Sequence, residues 1–413
     1  SDNNKSVAQT ATWFEAERCF DEKKREDGLR LFFDYLKDPI EDNVRIFPES
    51  DGIRFEIHQG SKMIIGKSNA QHVRAEVDIA LVTQASIPAY RRLLELNNAL
   101  TYVRAAMHNE KISLVFDVPL ETASPSVLYF GLKELAVTAD KQDDLLVSDF
   151  ERLSSVENIP IQAFPENERL VKYAFLKTIM SRDLKLVESL NQDSLSGAIG
   201  YIVLNLIYKI DYLISPEGDV LHQLEQIHTH YWNQVETSTA VQRNQQLKES
   251  LNAFLAMPEA HMMLGFYRAK ATFPVTQPKP YAIISESILD ALNNAKWYVE
   301  KKQDQIAFSV IEYGLAYAQY SFSLPKVCSN LFSVYMQINY ANYYRDLGFT
   351  DKYYDGRDFD QHAIEQRISV ILNEYIEKYP FLVFNVSKLN YASLLAFNVS
   401  FLYEVAALNF TPR

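Results

Sequence analysis

The stretch that decides the fold of the first third of the chain is Ala75–Pro119, AEVDIALVTQASIPAYRRLLELNNALTYVRAAMHNEKISLVFDVP. Val73, Ala75, Val77, Ile79 and Leu81 alternate with Arg74, Glu76 and Asp78, the period of two that marks a half-buried strand. Ser86 then offers a helix N-cap and Pro88 a first-turn proline, followed by Tyr90, Leu93, Leu94, Leu96 and Leu100 at helical spacing. Alternation resumes on both sides of Asn109-Glu110, with Ile112, Leu114, Phe116 and Val118 beyond it. A two-residue connection forces those strands antiparallel. The unit is strand, helix, β-hairpin.

Working outward, Ser124-Pro125 opens another helix through Val127, Leu128, Phe130, Leu132, Leu135 and Val137 toward a turn near Asp140. The charged Lys141–Asp144 run either begins a further turn or prolongs this helix. Upstream, Thr12 to Leu36 is helical in pattern, with the DEKKRED segment and Gly28 as a break or solvated turn. Val44–Phe47, Ile53–Ile57 and Lys62–Lys67 read as strands around the turn Glu49-Ser50-Asp51-Gly52. The expected order is α-β-β-β-(β)-α-β-β-α, an α+β domain over residues 12–153 with helix covering one face of an antiparallel sheet.

That order resembles the type III secretion chaperone-like fold, in particular the YbjN family of bacterial proteins described as sensory transduction regulators. The residues that carry the resemblance are the Leu29–Leu36 helix, the strands at Ile53–Ile57 and Ala75–Val82, the Pro88–Leu100 helix and the Ile112–Val118 strand. The resemblance implies a dimerising, non-enzymatic module that contacts other polypeptides. It covers about a third of the chain, and a typical member ends about where this domain does.

Ser154–Pro165, SSVENIPIQAFP, reads as a linker. Beyond it, residues 166–413 read as all-α, with two sub-parts at 166–273 and 281–413 and no strand. Predicted helices are Leu170–Met180, Leu184–Leu190, Ala198–Leu213, Val220–Val235, Val241–Met257, Ile283–Glu300, Gln305–Phe322, Lys326–Leu347, His362–Tyr379 and Leu389–Leu408. Short connections from Tyr281 onward favour antiparallel hairpins, with Ala295, Ala307, Gly314 and Ala318 where helices would cross. This looks like tetratricopeptide-type hairpins, without that repeat's Trp-Leu-Gly-Tyr signature.

The 413 residues allow two or three domains with substantial cores, and a 47% apolar content is that of a globular protein. The 25 Tyr and 24 Phe set against only 12 Gly point to a mostly helical chain. The net charge of −12 is spread evenly: residues 1–150 hold 18 Lys/Arg against 25 Asp/Glu, and the remainder 23 against 28. No basic run offers a phosphate-binding face, so nucleic acid is not an expected partner. Cys19 and Cys328 are too few and too separated for a disulfide framework or metal knuckle. Together with a polar start lacking an apolar leader segment, they suggest a cytoplasmic protein.

Several motifs fall short of a chemistry. Gly60–Ser68 has five residues between its glycines where a phosphate loop needs four, and its interior reads as strand. Glu225-x-x-His228 has di-iron spacing, with His222 and His230 nearby, but no second such motif accompanies it. Asp351, Asp355, Asp358, Asp360 and Glu365 break the calcium-loop pattern and are better read as helix-start acids. Glu259-Ala260-His261 reads as a surface loop. Leu389–Leu408 reaches the ~20 residues of a membrane span, yet Asn390, Asn398 and Glu404 make a buried core helix the better reading. Asn385, Asn398 and Asn409 fit the glycosylation pattern within that same apolar region.

No cofactor or metal is expected, and no catalytic motif is present. The remaining candidates are tyrosines: Tyr313, Tyr317 and Tyr320 on one helix face, and Tyr335, Tyr340, Tyr343 and Tyr344 on the next. Their apolar bodies and polar tips suit either helix–helix packing or a grip on a partner. The expected function is therefore non-catalytic protein–protein interaction of a regulatory or chaperone-like kind, with a homodimer through the first domain. The alternative is an enzyme or small-molecule sensor with a pocket in the helical domain, distinguished by convergent polar groups around a cavity.

Overall fold

The computed structural model describes residues 4–38, 40–156, 162–269, 273 and 278–411. Residues 157–161, at the centre of the expected linker, and 274–277, between the two expected helical sub-parts, lie outside that set. The chain forms two compact units. The first comprises Ser1–Ala163 with Glu217–Asp219 and Tyr267–Val275; the second comprises Phe164–Pro216, Val220–Phe266 and Thr276–Arg413.

The first unit begins with α1 (Val7–Asp21) and α2 (Arg25–Leu36), so the charged DEKKRED segment does separate two helices. Ser6 and Gln9 form a capping box at the start of α1, satisfying two orphan N–H groups reciprocally. Four strands follow, β1 (Val44–Glu49), β2 (Gly52–Gln59), β3 (Lys62–Ser68) and β4 (His72–Val82). Then come α3 (Ile87–Ala99), the hairpin β5 (Val103–His108) and β6 (Lys111–Pro119), and α4 (Pro125–Asp149). The element order expected from sequence is the order observed.

The sheet runs β1-β2-β3-β4-β6-β5, antiparallel at every pairing, and its apolar face is buried beneath the helices. Asn109 and Glu110 both take positive φ, +48° and +63°, which matches the twist a two-residue hairpin needs. Ser86 and Ser124 cap α3 and α4 as their spacing predicts. The expected turn near Asp140 is absent. The charged run prolongs α4 to 25 residues, with Asp140 and Asp143 held against the β2–β3 turn by the partners described below.

Gly131 on α4 lies against the Phe116 ring of β6, so close that a Cβ there would come within 2.1 Å of a ring carbon. Phe116 in turn sits between Ala75 and Val103 in the strand register, two small neighbours that leave room for it.

Two short strands flank the linker region. β7 (Leu153–Ser154) pairs with the end of β4, and β8 (Gln162–Ala163) pairs with β9 (Tyr267–Arg268). Strand pairing beyond residue 165 was not expected. At two residues each, β8 and β9 carry no periodicity to read, and their pairing spans a hundred residues of chain. Phe273 is buried in the core of the first unit, its N–H donated to the Gln59 side chain.

The second unit is helical apart from its loops. It contains α5 (Glu166–Ser189), α6 (Ser196–Lys209) continued by a π-helical turn at Ile210–Ile214, α7 (Gly218–Asn233), α8 (Ala240–Leu255) and α9 (Glu259–Leu264). These are followed by α10 (Tyr281–Glu300), α11 (Asp304–Ser321), α12 (Lys326–Asn339), α13 (Ala341–Asp346), α14 (Gln361–Tyr375) and α15 (Leu394–Ala406). Glu259-Ala260-His261 thus opens a helix, where a loop was expected. The two helices expected over 170–190 are the single helix α5, and the one expected over 326–347 breaks at Tyr340 into α12 and α13.

Gly314 lets α11 approach α10 closely: a Cβ there would lie 2.7 Å from that of Ala291. Ala295, Ala307 and Ala318 are also buried, as crossing residues should be. The apolar C-terminal run yields a helix of only 13 residues, α15. Its polar members are accommodated inside the unit. Asn398 exchanges amide hydrogen bonds with Asn339 at 3.0 and 2.7 Å, and Glu404 receives Lys388 at 3.1 Å and the Asn385 N–H at 3.0 Å. Among the described residues one helical stretch, Ser196–Ile214, is long and apolar enough to cross a membrane, and 78% of it is buried inside the protein.

Candidate functional site

The site is built where α5, α6 and α11 meet. Asn205 and Lys209 are one turn apart on α6, hence on the same face. That face carries them into an otherwise apolar interface opposite Asp183 of α5 and Glu312 of α11. The Lys209 side chain is 2% exposed, Asp183 4% and Glu312 7%. Charges taken out of water to that degree persist only if paired and hydrogen-bonded.

They are. Lys209 Nζ donates to Asp183 Oδ2 at 2.6 Å and lies 3.8 Å from Glu312 Oε1. Arg182 Nε donates to Asp183 Oδ1 at 2.7 Å. Glu312 accepts from Asn205 Nδ2 at 2.8 Å and from the Tyr340 hydroxyl, which lies 3.0 and 2.9 Å from its two oxygens. Burial opposes ionisation of Asp183, but the Lys209 and Arg182 charges outweigh it and hold its carboxyl below the ordinary range. Burial, reinforced by the neighbouring Glu312 charge, pushes the Tyr340 hydroxyl well above its usual value, so it serves as a donor at any physiological pH.

This cluster forms one wall of a cavity of about 250 Å³, completed by Leu186, Phe308, Ser309, Asn339 and Leu394. A second, wider cleft of about 510 Å³ lies on the other side of Tyr340, against Phe175, Tyr343 and Tyr354. Tyr340 lines both.

None of the seven tyrosines singled out from the sequence is fully exposed. Tyr313 and Tyr317 stack at 5.6 Å, and Tyr208 contacts both of them and Tyr320. Tyr335 is buried beside Phe332 and Phe401. Tyr343 stacks on Phe175 at 3.9 Å and donates to the Leu213 carbonyl at 2.6 Å, while Tyr344 packs on Phe349. Only Tyr340 reaches the charged cluster.

The reading from sequence missed Arg182, Asp183, Asn205, Lys209 and Glu312. A signal was present: Asn205 and Lys209 interrupt IVLNLIYKI, and Glu312 interrupts SVIEYGLA, each a polar side chain inside an apolar helical run.

The other motifs resolve into structure. Gly60–Ser68 is the β2–β3 turn and β3 itself. His228 accepts from Trp232 Nε1 at 2.9 Å, and burial lowers it to about 4, so it is neutral at physiological pH. Asp355 accepts the N–H groups of Arg357 and Asp358 at 2.8 Å each, and Asp360 caps α14. Among the described residues no group of three His, Cys, Asp or Glu could hold a metal ion.

A second polar cluster lies within the first unit. Asp140 accepts the Ser61 N–H at 2.9 Å and the Gln59 amide at 3.1 Å, and Asp143 accepts Lys62 Nζ at 2.8 Å. Burial raises both carboxyls. Asp144 is pushed up to about 7 by burial first, then by the charges of Asp143 and Asp140, with Lys62 opposing. A carboxyl raised on folding stabilises the protein fully below its unfolded value of about 4, and that contribution is lost as pH rises through 7. Asp144→Asn is therefore expected to leave stability near pH 4 little changed and to raise it at pH 8 by about 2 kcal/mol, below the full linkage value because the group keeps some contact with water. Urea denaturation at the two pH values checks this; an equal effect at both would refute it.

Neither a scan against protein-family models nor a search of curated proteins finds a match to this chain.

Proposed function

We propose that the protein is a non-catalytic regulatory protein whose helical unit senses a small polar molecule in the cavity beside Lys209 and Tyr340. The observation that carries this reading is the convergence of Arg182, Asp183, Lys209, Glu312 and Tyr340, from three helices and the break between α12 and α13, on one wall of a 250 Å³ cavity. Packing alone does not require buried ion pairs, because apolar side chains of similar volume often serve stability as well or better. Of the two functions expected from sequence, the pocket-based alternative is the one this arrangement favours.

The test is thermal denaturation of the full chain against a panel of small organic acids, amines, amides and sugars. A ligand at a hundred times its Kd stabilises the folded state by about 2.7 kcal/mol. A hit whose effect disappears in Leu394→Trp, which fills the cavity, is the expected result; a hit unaffected by that substitution places binding elsewhere.

A polypeptide-binding role for the first unit, as the regulatory output, has its own supporting observation.

 Ile65 on β3 is 43% exposed on the face of the sheet away from the helices, above a shallow cleft formed with Lys67, Arg74, Glu76 and Asp78. Contact there, including self-association, is expected to weaken on Ile65→Asp. Light scattering across a concentration series reads that directly, and an unchanged mass in both proteins at every concentration would count against it.

A further inference from the structure

We infer that the cavity beside Arg182 takes a compact monocarboxylate with a short apolar body. This inference rests on the sensing role proposed above and assigns it a ligand class.

The cluster's acids are satisfied from within the protein. Both Asp183 oxygens are taken, one by Arg182 Nε and one by Lys209 Nζ, and Glu312 receives Asn205 and Tyr340. Neither acid needs a donor from a ligand. Arg182 is in the opposite position. Its guanidinium is held by Asp183 through Nε alone, leaving the terminal Nη1 and Nη2 groups without a protein hydrogen bond among the described residues. The side chain is 55% exposed and lines the cavity, so these donors are open to a ligand arriving from solvent.

A planar guanidinium edge matches a carboxylate by two parallel N–H···O bonds, and the Asp183 contact already orients it, so little side-chain freedom is lost on binding. Charge selects in the same sense. Arg182, Lys209, Asp183 and Glu312 sum to zero in their ionised forms; an arriving cation would meet the open Arg182 edge with both acids already engaged. A phosphate would bring up to two negative charges to one open cation.

The rest of the lining defines the body of the ligand. Leu186, Phe308 and Leu394 present apolar surface, and Ser309, Gln305 and Asn339 edge it with polar groups. A volume of about 250 Å³ holds the equivalent of about eight waters, since each occupies roughly 30 Å³ in the liquid. That suits a short-chain or small aromatic acid.

The experiment is calorimetric titration of the full chain with butyrate, hexanoate and benzoate, alongside hexanamide, hexylamine and hexyl phosphate. Hexanoate or benzoate is expected to bind at least tenfold more tightly than the amide, the amine and the phosphate. Arg182→Gln, which leaves the Lys209–Asp183 pair in place, is expected to weaken carboxylate binding tenfold or more, and Leu394→Trp to abolish it. Circular dichroism confirms that each variant is folded. Carboxylate affinity unchanged in Arg182→Gln, or an amide that binds as tightly as its acid at a site closed by Leu394→Trp, overturns the carboxylate assignment while the sensing role stands. If none of these probes binds and no hit from the wider thermal panel responds to Leu394→Trp, the sensing role fails and the assignment falls with it.

Discussion

Lys209→Met is expected to destabilise the helical unit by about 3–5 kcal/mol, the usual cost of removing one partner from a buried ion pair. The substitution preserves most of the side-chain volume, so the loss is electrostatic. Asp183 keeps Arg182 at the half-exposed end, and Glu312 keeps Asn205 and Tyr340, but neither retains a buried cation. The pH dependence identifies the cause. In the parent protein the Asp183 carboxyl is held low, so its contribution to stability is present above about pH 4 and is lost as pH falls through its lower folded value. Without Lys209, burial dominates and the carboxyl rises, reversing the sign: the variant gains from protonation as pH falls. The difference between the two proteins should be largest near pH 7 and shrink toward pH 4. Urea denaturation across that range measures it. A cost below 1 kcal/mol at pH 7, or one independent of pH, would remove the electrostatic account of the cluster. Combining Lys209→Met with Asp183→Asn should cost less than the two single changes added together, because the second no longer strands a charge.

The second large effect lies in the first unit. Phe116→Ala should cost about 3–5 kcal/mol, the range for deleting a buried aromatic ring and leaving a cavity. Phe116 is 1% exposed between the sheet and α4. Gly131→Ala should also destabilise, by about 1–3 kcal/mol, because the new methyl would press into that ring. This runs against intrinsic preference, which favours Ala over Gly inside a helix by about 1 kcal/mol. With Phe116 already replaced by Ala, Gly131→Ala should change sign and stabilise, since the obstacle is gone and only the helix preference remains. Four proteins and one denaturation series complete the cycle. A Gly131→Ala effect of the same sign in both backgrounds would show that the close approach does not set the helix-to-sheet distance.

The first unit was largely legible in the sequence because its information is local. Alternation in Val73–Leu81 and Ile112–Val118 marks strands whose faces differ, Asn109-Glu110 fits a tight hairpin, and Ser86 and Ser124 sit where caps belong. Each signal acts within a few residues, and the observed registers follow it. The prolonged α4 was less legible. Whether a charged run ends a helix or continues it depended on Ser61, Gln59 and Lys62, some eighty residues away.

The helical unit shows the opposite balance. Helix positions could be read, but the partner of each face could not, because amphipathic helices can pair in many ways. The tyrosines drew attention as a series, yet they lie in helix seams, and only Tyr340 meets the charged cluster. The cluster's own members come from positions 182–183, 205, 209, 312 and 340; Asn205, Lys209 and Glu312 stand out as polar residues within apolar helical runs, but their segments do not say what they face. By itself, then, the sequence determined an antiparallel α+β unit followed by helices, through periodicity, caps and turns that need no distant partner. Tertiary structure alone decided which charges face one another and which guanidinium edge stays open, because pairing energy depends on distances that chain spacing does not encode.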